Sequence, residues 1–412
     1  MLLIPAHTMK SGLNFLVAAR QCEIGELETL ALTSELVGVA ARLIHALQRE
    51  RGLSNVFLAS HGKRFAELRL SQIDECTAVE LRTRAHFDAM DTDGTRVRNG
   101  ARLFSRIAVV LHGLDALPGL RARVLAQDIS PDDSTATFTR LIAGLLAVVF
   151  EAADSATDPE ISRALVAMFN FMQGKEFAGQ ERAIGSGAFA SGRADAARQQ
   201  QWQHVIESQE RCFEVFADFS DAGLLDAWDA ARKNSPLADI ERLRRIGCAI
   251  KNDGRLDAEL SQLWYDCCTQ RIDSMKGIED LLAANLRVLC ERKILEARAE
   301  LRDQKTIVDS LSREATTAGS QATMPYGPHL ERSILDMVQE QARRLQTMGD
   351  ELETVRAALN ERKVVERAKG LLMAARKLSE EDAYKMLRQT AMNQNRRLLD
   401  VAQSVLSMSE YL

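Results

Sequence analysis

Aromatic residues are scarce in this 412-residue sequence, at 5%. That scarcity, with Ala, Leu, Glu and Arg dominant, favours helix over sheet. Paired-cysteine motifs are absent. The seven cysteines, at 22, 76, 212, 248, 267, 268 and 290, are odd in number and include no CxxC spacing. This predicts reduced thiols and no zinc site. The longest apolar run, Leu141 to Phe150, is about half a membrane span, and no basic segment leads into an apolar stretch at the N-terminus. Neither export nor membrane insertion is expected, and the expected location is cytoplasmic. Signatures of catalysis are missing too: there is no Walker loop, GxSxG, HExxH or dinucleotide fingerprint. His45, His61, His86, His112 and His204 stand alone, with no Cys or carboxylate at ligand spacing. The sequence thus predicts no enzyme, no metal and no cofactor.

What is present is a folded composition, 46% hydrophobic and 27% charged, in a chain long enough for two or three domains. The net charge of −5 is uneven: residues 361–412 carry +3 and the rest −8. A weakly basic tail on an acidic body suits an effector that touches polyanions. Helical periodicity covers almost every segment, with helices expected over 12–31, 33–60, 65–90, 98–126, 135–153, 158–190, 194–219, 223–233, 236–251 and 255–312. Asp91–Gly94, Ser130–Ser134 and Asn234–Pro236 separate some of them. The fold class is all-α, with long helices in antiparallel bundles.

Residues 315–328 mix small residues with two prolines and two glycines, and read as a linker. Beyond it, Ile334, Val338, Gln341, Leu345, Met348, Leu352, Val355 and Leu359 alternate at spacings of four and three. This heptad seam predicts a coiled-coil helix over 329–360 and self-association as a homodimer. Residues 361–412 read as three short helices. The first runs through Val364, Val365, Ala368, Leu371 and Leu372 to about Lys377. The second follows Ser379, three residues before Asp382 at capping-box spacing, and the third follows the break at Asn393–Asn395. Lys369, Lys385, Arg388, Arg396 and Arg397 are expected on exposed faces or at helix ends.

Within this segment, Ala368–Met373, Ser379–Tyr384, Leu387-Arg388, Ala391-Met392, Asn395–Leu398 and Val401-Ala402 closely resemble the ANTAR family. The resemblance implies a three-helix bundle that follows a coiled coil and binds leader RNA to prevent transcription termination. It would touch RNA polymerase only indirectly. Lys369, Arg388 and Arg396 are the expected backbone contacts, with Tyr384 and Asn395 near unpaired bases. ANTAR effectors often follow an α/β receiver domain, yet residues 1–314 show no strands of that kind, so phosphorylation is not the expected input.

Upstream, cations fall on apolar stripes. One stripe is Leu43, Leu47, Arg51, Ser54 and Leu58. A second is Met168, Phe171, Lys175, Ala178, Arg182, Gly185 and Phe189, and a third is Ile240, Leu243, Arg244, Gly247 and Ile250. Arg271 shares a stripe with Leu260, Trp264, Cys267 and Met275. A buried arginine needs a counter-charge. Periodicity leaves two solutions open: internal salt bridges to Glu50, Glu176 and Glu181, or a small anion held by converging guanidinium groups.

The strings Gln48–Ser54 and Lys175–Ala183, with Trp264–Thr269 and Arg271-Ile272, resemble the NIT receptor domain over roughly 35–290, with helical extensions to 1 and 314. That resemblance implies a pair of four-helix bundles sensing nitrate or nitrite. It supports Arg49, Arg51 and Arg182 as ligand residues. Arg244 is chosen from its stripe, and either Arg242 or Arg245 could take its role. Receptor and effector in one chain resemble the nitrate- and nitrite-responsive transcription antiterminators. The competing reading is a helical adaptor that binds a protein partner and no small molecule.

Overall fold

The computed structural model describes residues 12–90, 101–193, 195–248, 255–317, 328–378, 380–394 and 396–409. Among them there are twelve helices and no strand, so the chain is all-α. It divides into two compact units, Met1–Val338 and Gln339–Leu412. The division falls inside a helix, downstream of the segment read as a linker. Residues 318–327 of that segment, and the separator Asp91–Gly94, lie outside the described residues.

In the first unit, α1 (Gly12–Ala59), α2 (Ala66–Asp88), α3 (Ala101–Leu125) and α4 (Pro131–Ser155) pack on one another. The remainder are α5 (Pro159–Ser191), α6 (Ala196–Phe219), α7 (Ala222–Lys233), α8 (Leu237–Cys248) and α9 (Leu260–Thr317). In this second group α5 lies against α6 and α9, and α1 runs along α9 as well.

Two expected helix boundaries are corrected. The helices expected over 12–31 and 33–60 are one: α1 continues through 32, where the Thr29, Thr33 and Ser34 hydroxyls donate back to carbonyls four residues earlier, a bond open to mid-helix hydroxyls. Ser130–Ser134 reads as a separator, yet it is the start of α4. Ser130 Oγ accepts from the Asp133 amide at 3.0 Å, with Pro131 in the first turn, where its missing N–H costs nothing.

The absence of a long apolar run also proves an incomplete guide. α1, α3 and α4 each contain an 18-residue window apolar enough, by length and composition, to cross a membrane. The window of α1 is 61% buried and that of α4 is 56% buried within the protein, so much of that surface serves the core.

The second unit holds most of α10 (Pro328–Arg376), with α11 (Glu380–Gln394) and α12 (Leu398–Ser409). Ala368, Leu372, Ala383, Leu387, Ala391, Val401 and Ala402 form its core. Ser379 and Asn395, at the two corners, lie outside the described residues.

Candidate functional site

The strings of the first unit meet where α1, α5 and α9 cross. All five residues of the α1 stripe are buried, Arg51 at 2% exposure. Arg51 Nη1 donates to Glu176 Oε1 at 2.5 Å and to Thr139 Oγ1 at 2.9 Å, and its Nη2 donates to Glu176 Oε2 at 3.1 Å. Glu176 also accepts from Gln48 and Gln180, each at 2.9 Å. This carboxylate is fully engaged by its own site.

Arg182 differs. It is 5% exposed, and among the described residues no carboxylate forms an ion pair with it. Its Nη1 donates to Thr269 Oγ1 at 3.0 Å, its Nη2 reaches the Gln48 carbonyl only at 3.5 Å, and its guanidinium lies 5.0 Å from the centroid of the Tyr265 ring. A buried cation without an anion is a costly arrangement. Arg51 and Arg182 face a cavity of about 10 Å³ that Asn55, Thr135, Ser186 and Tyr265 also line, near the lower limit for one water. The Ser186 hydroxyl there is buried with no hydrogen-bond partner among the described residues. A second cavity of about 190 Å³ shares Gly179, Arg182 and Tyr265 with the first and is edged by Arg49. The Arg49 side chain is 48% exposed and reaches Glu75 at 3.3 Å.

Arg244 lines neither cavity. Its Nε and Nη2 each donate to Glu181 at 2.6 Å, and Arg271 lies 3.6 Å from the same carboxylate. Burial alone would raise the Glu181 pKa, but the hydrogen bonds and charge of Arg244, then the charge of Arg271, more than offset it and hold it below its ordinary value. Arg242 instead pairs with Asp239 at the surface. Trp202 Nε1 donates to Glu181 at 3.3 Å and Trp264 Nε1 to the Arg182 carbonyl at 3.0 Å, with the two fully buried rings 5.0 Å apart, edge to face.

In the second unit, Lys385, Arg396 and Arg397 are exposed, while Tyr384 and Arg388 are half-buried. Arg396 folds over the start of α12, donating to the Asp400 carbonyl and Ser404 Oγ. Lys369 corrects the expectation of exposure, at only 8%. Its neighbours Ala368 and Leu372 belong to the core and Val365 packs against it, so its stem lies at the core edge. Its ammonium lies 2.8 Å from Glu366 and 5.9 Å from the Tyr384 ring centroid.

Comparison with known proteins matches residues 42–287 to the NIT family, described as nitrate and nitrite sensing, and residues 353–406 to the ANTAR domain. The chain belongs to the NIT family. The nitrate regulatory protein of Klebsiella oxytoca is 31% identical over 401 residues, 96% of this chain and 94% of that protein. A solved structure of the NasR transcription antiterminator superposes with a TM-score of 0.61 at 31% identity, covering 97% of this chain and 99% of the other. The family is one of regulatory sensors.

The NIT domain places three groups at the crossing that periodicity does not single out. Tyr265 and Thr269 lie inside the Trp264–Thr269 string but carry no charge to draw notice. Thr139 comes from α4, outside every string, and nothing in the sequence marks it.

His45, on α1 within the NIT domain, has its pKa lowered to about 2, first by burial and then by the charges of Lys175, Lys276, Arg49 and Arg182. The imidazole is therefore neutral in the folded protein at neutral pH. Once unfolded, it takes up a proton below about pH 6.5, and the folded state does not. Its contribution is thus intact above that pH and is lost as pH falls toward 2. Between pH 6.5 and 5 this residue should cost up to about 1.4 kcal/mol of stability per pH unit. His45→Gln should flatten that slope in urea unfolding at pH 6.5 and 5.5; equal slopes in the two proteins would refute the assignment.

Proposed function

We propose that this chain is a one-component transcription antiterminator, in which nitrate or nitrite bound by the NIT domain frees the ANTAR bundle to bind hairpins in leader RNA. The observation that carries the reading is Arg182: a buried guanidinium with no carboxylate, across a small cavity from Arg51. A small oxyanion would supply the missing charge and match the planar donor fork. The cavity is too small for nitrate as it stands, so binding requires the Arg51–Glu176 and Arg182–Thr269 contacts to rearrange. A ligand that binds one arrangement better than another shifts the balance between them. Arg49 at the rim and Arg244, once released from Glu181, complete the proposed ligand set.

On the output side, Arg388, Arg396 and Lys369 are the proposed contacts to RNA backbone, with Tyr384 and Asn395 near unpaired bases. Lys369 takes that part by exchanging Glu366 for phosphate. RNA loops offer unstacked bases to such a surface, and binding weakens as salt rises. RNA polymerase is affected only indirectly, and the reading places the chain in the cytoplasm, in keeping with seven free cysteines. The test is a gel shift with the full chain on hairpin RNA and a scrambled control. Nitrate or nitrite is expected to promote binding to the hairpin alone. Equal binding with and without anion would overturn the switch, and equal binding to both RNAs would overturn specific recognition.

We also propose that α10 mediates homodimerisation. Along its seam Leu345 is 57% exposed, Gln341 and Met348 are half-buried, and Leu352, Val355 and Leu359 are buried. The side chains of Ile334 and Val338 lie outside the described residues. Leu345→Glu should place like charges across the seam and shift sedimentation from dimer to monomer; an unchanged mass would refute it.

A further inference from the structure

Each string that supplies an arginine to the cavity also supplies a glycine, Gly52 on α1 and Gly179 on α5, with no role assigned above. Both lie in helix interiors, where glycine is unfavourable relative to alanine, and neither has the positive φ that would call for it. Space is what they provide. A Cβ at Gly52 would stand 2.5 Å from Arg182 Nη2, and one at Gly179 would stand 2.6 Å from Arg51 Nη2. The arrangement is reciprocal: α1 sends Arg51 against the glycine of α5, and α5 sends Arg182 against the glycine of α1. Elsewhere in the NIT domain glycine does other work. Nothing lies near Gly277, whereas Gly185 and Gly247 make room for the rigid rings of Trp264 and Trp202.

We infer that Gly52 and Gly179 are positioning residues for the sensor: each seats the opposite helix's guanidinium and so sets the separation of the two cationic groups that face the cavity. The inference rests on the reading of that cavity as the anion site. The atoms a methyl group would meet are the ends of flexible side chains, so the helices can keep their packing while the guanidinium moves. Displacing Arg51 Nη2 also disturbs its bond to Glu176, and displacing Arg182 Nη2 moves it from the Gln48 carbonyl and shifts the guanidinium over the Tyr265 ring, with the Nη1 that bonds Thr269. Alanine at either position should therefore separate anion binding from folding.

The experiment is calorimetric titration of the full chain with nitrate, together with anion-free thermal unfolding, for Gly52→Ala, Gly179→Ala and the control Gly277→Ala. Arg51→Ala and Arg182→Ala are run alongside. The expected result is a loss of nitrate affinity of about ten-fold or more in the two site variants, roughly one charge-assisted hydrogen bond, with unfolding close to that of the control. Wild-type affinity in both folded glycine variants, while the arginine variants lose binding, would overturn the inference and leave the site standing. Unchanged affinity in the arginine variants would overturn the site itself. Should an alanine variant unfold, paired substitutions decide. Gly52→Ala with Arg182→Ala should be as stable as Arg182→Ala alone, and Gly179→Ala with Arg51→Ala as stable as Arg51→Ala alone, which already strands Glu176, because each removes its clash. The crossed pairs, Gly52→Ala with Arg51→Ala and Gly179→Ala with Arg182→Ala, should fall below the same single arginine variants. Equal behaviour of matched and crossed pairs would overturn the inference.

Discussion

Arg182→Ala is expected to abolish the nitrate-induced thermal shift while leaving the anion-free protein as stable as before, or more so. Most buried arginines resist truncation because a partner carboxylate is stranded. Arg182 strands none: its contacts are a threonine hydroxyl, a distant carbonyl and an aromatic face. Removing it relieves a buried charge and deletes a charge-assisted bond to the anion, worth about 1.5–3 kcal/mol, or roughly ten- to a hundred-fold in affinity. A ligand that binds the folded state alone must raise its apparent stability, so differential scanning with and without nitrate reads both effects. A variant that unfolds several degrees earlier yet still responds to nitrate would show that Arg182 is a scaffold residue and not a ligand.

Glu181→Gln, one residue away, should do the opposite. Arg244 is bound to both oxygens of Glu181, Arg271 lies near, and Gln209 and Trp202 donate to the same carboxylate. Neutralising it leaves two largely buried guanidinium groups short of their shared counter-charge. A loss of about 3–5 kcal/mol is expected for breaking such a pair, read as an early transition in denaturant. If Glu181→Gln unfolds like wild type, the cluster is not a structural staple.

The contrast between these neighbours shows what periodicity could and could not convey. Helix faces were legible: the stripes through Arg51 and Arg182 are buried as their spacing implies, and so is most of that through Arg244, whose Ile250 lies outside the described residues. Counter-charges were legible as residues but not as pairs. Glu50, Glu176 and Glu181 do all bind arginines, yet Glu50 binds Arg121 of α3, Glu176 binds Arg51 and Glu181 binds Arg244. Each acid serves a different helix, because side chains adjacent in a helix do not face each other. That Arg182 is left over could not be read at all, since it depends on how three helices cross. Lys369 failed for a related reason: a long stem can lie along a core edge wherever its charged end finds a partner.

The two tryptophans seated beside this crossing carry a consequence of their own. Trp264 is tied to the Arg182 carbonyl and Trp202 to the Glu181 carboxylate, while the third, Trp228, stacks among Phe171, Phe213 and Phe216. Indole emission follows the polarity and charge around the ring. The unlabelled protein thus holds a fluorophore pair within one bond of the residues that distinguish paired from unpaired arginine, and a third indole in a separate aromatic nest as an internal reference.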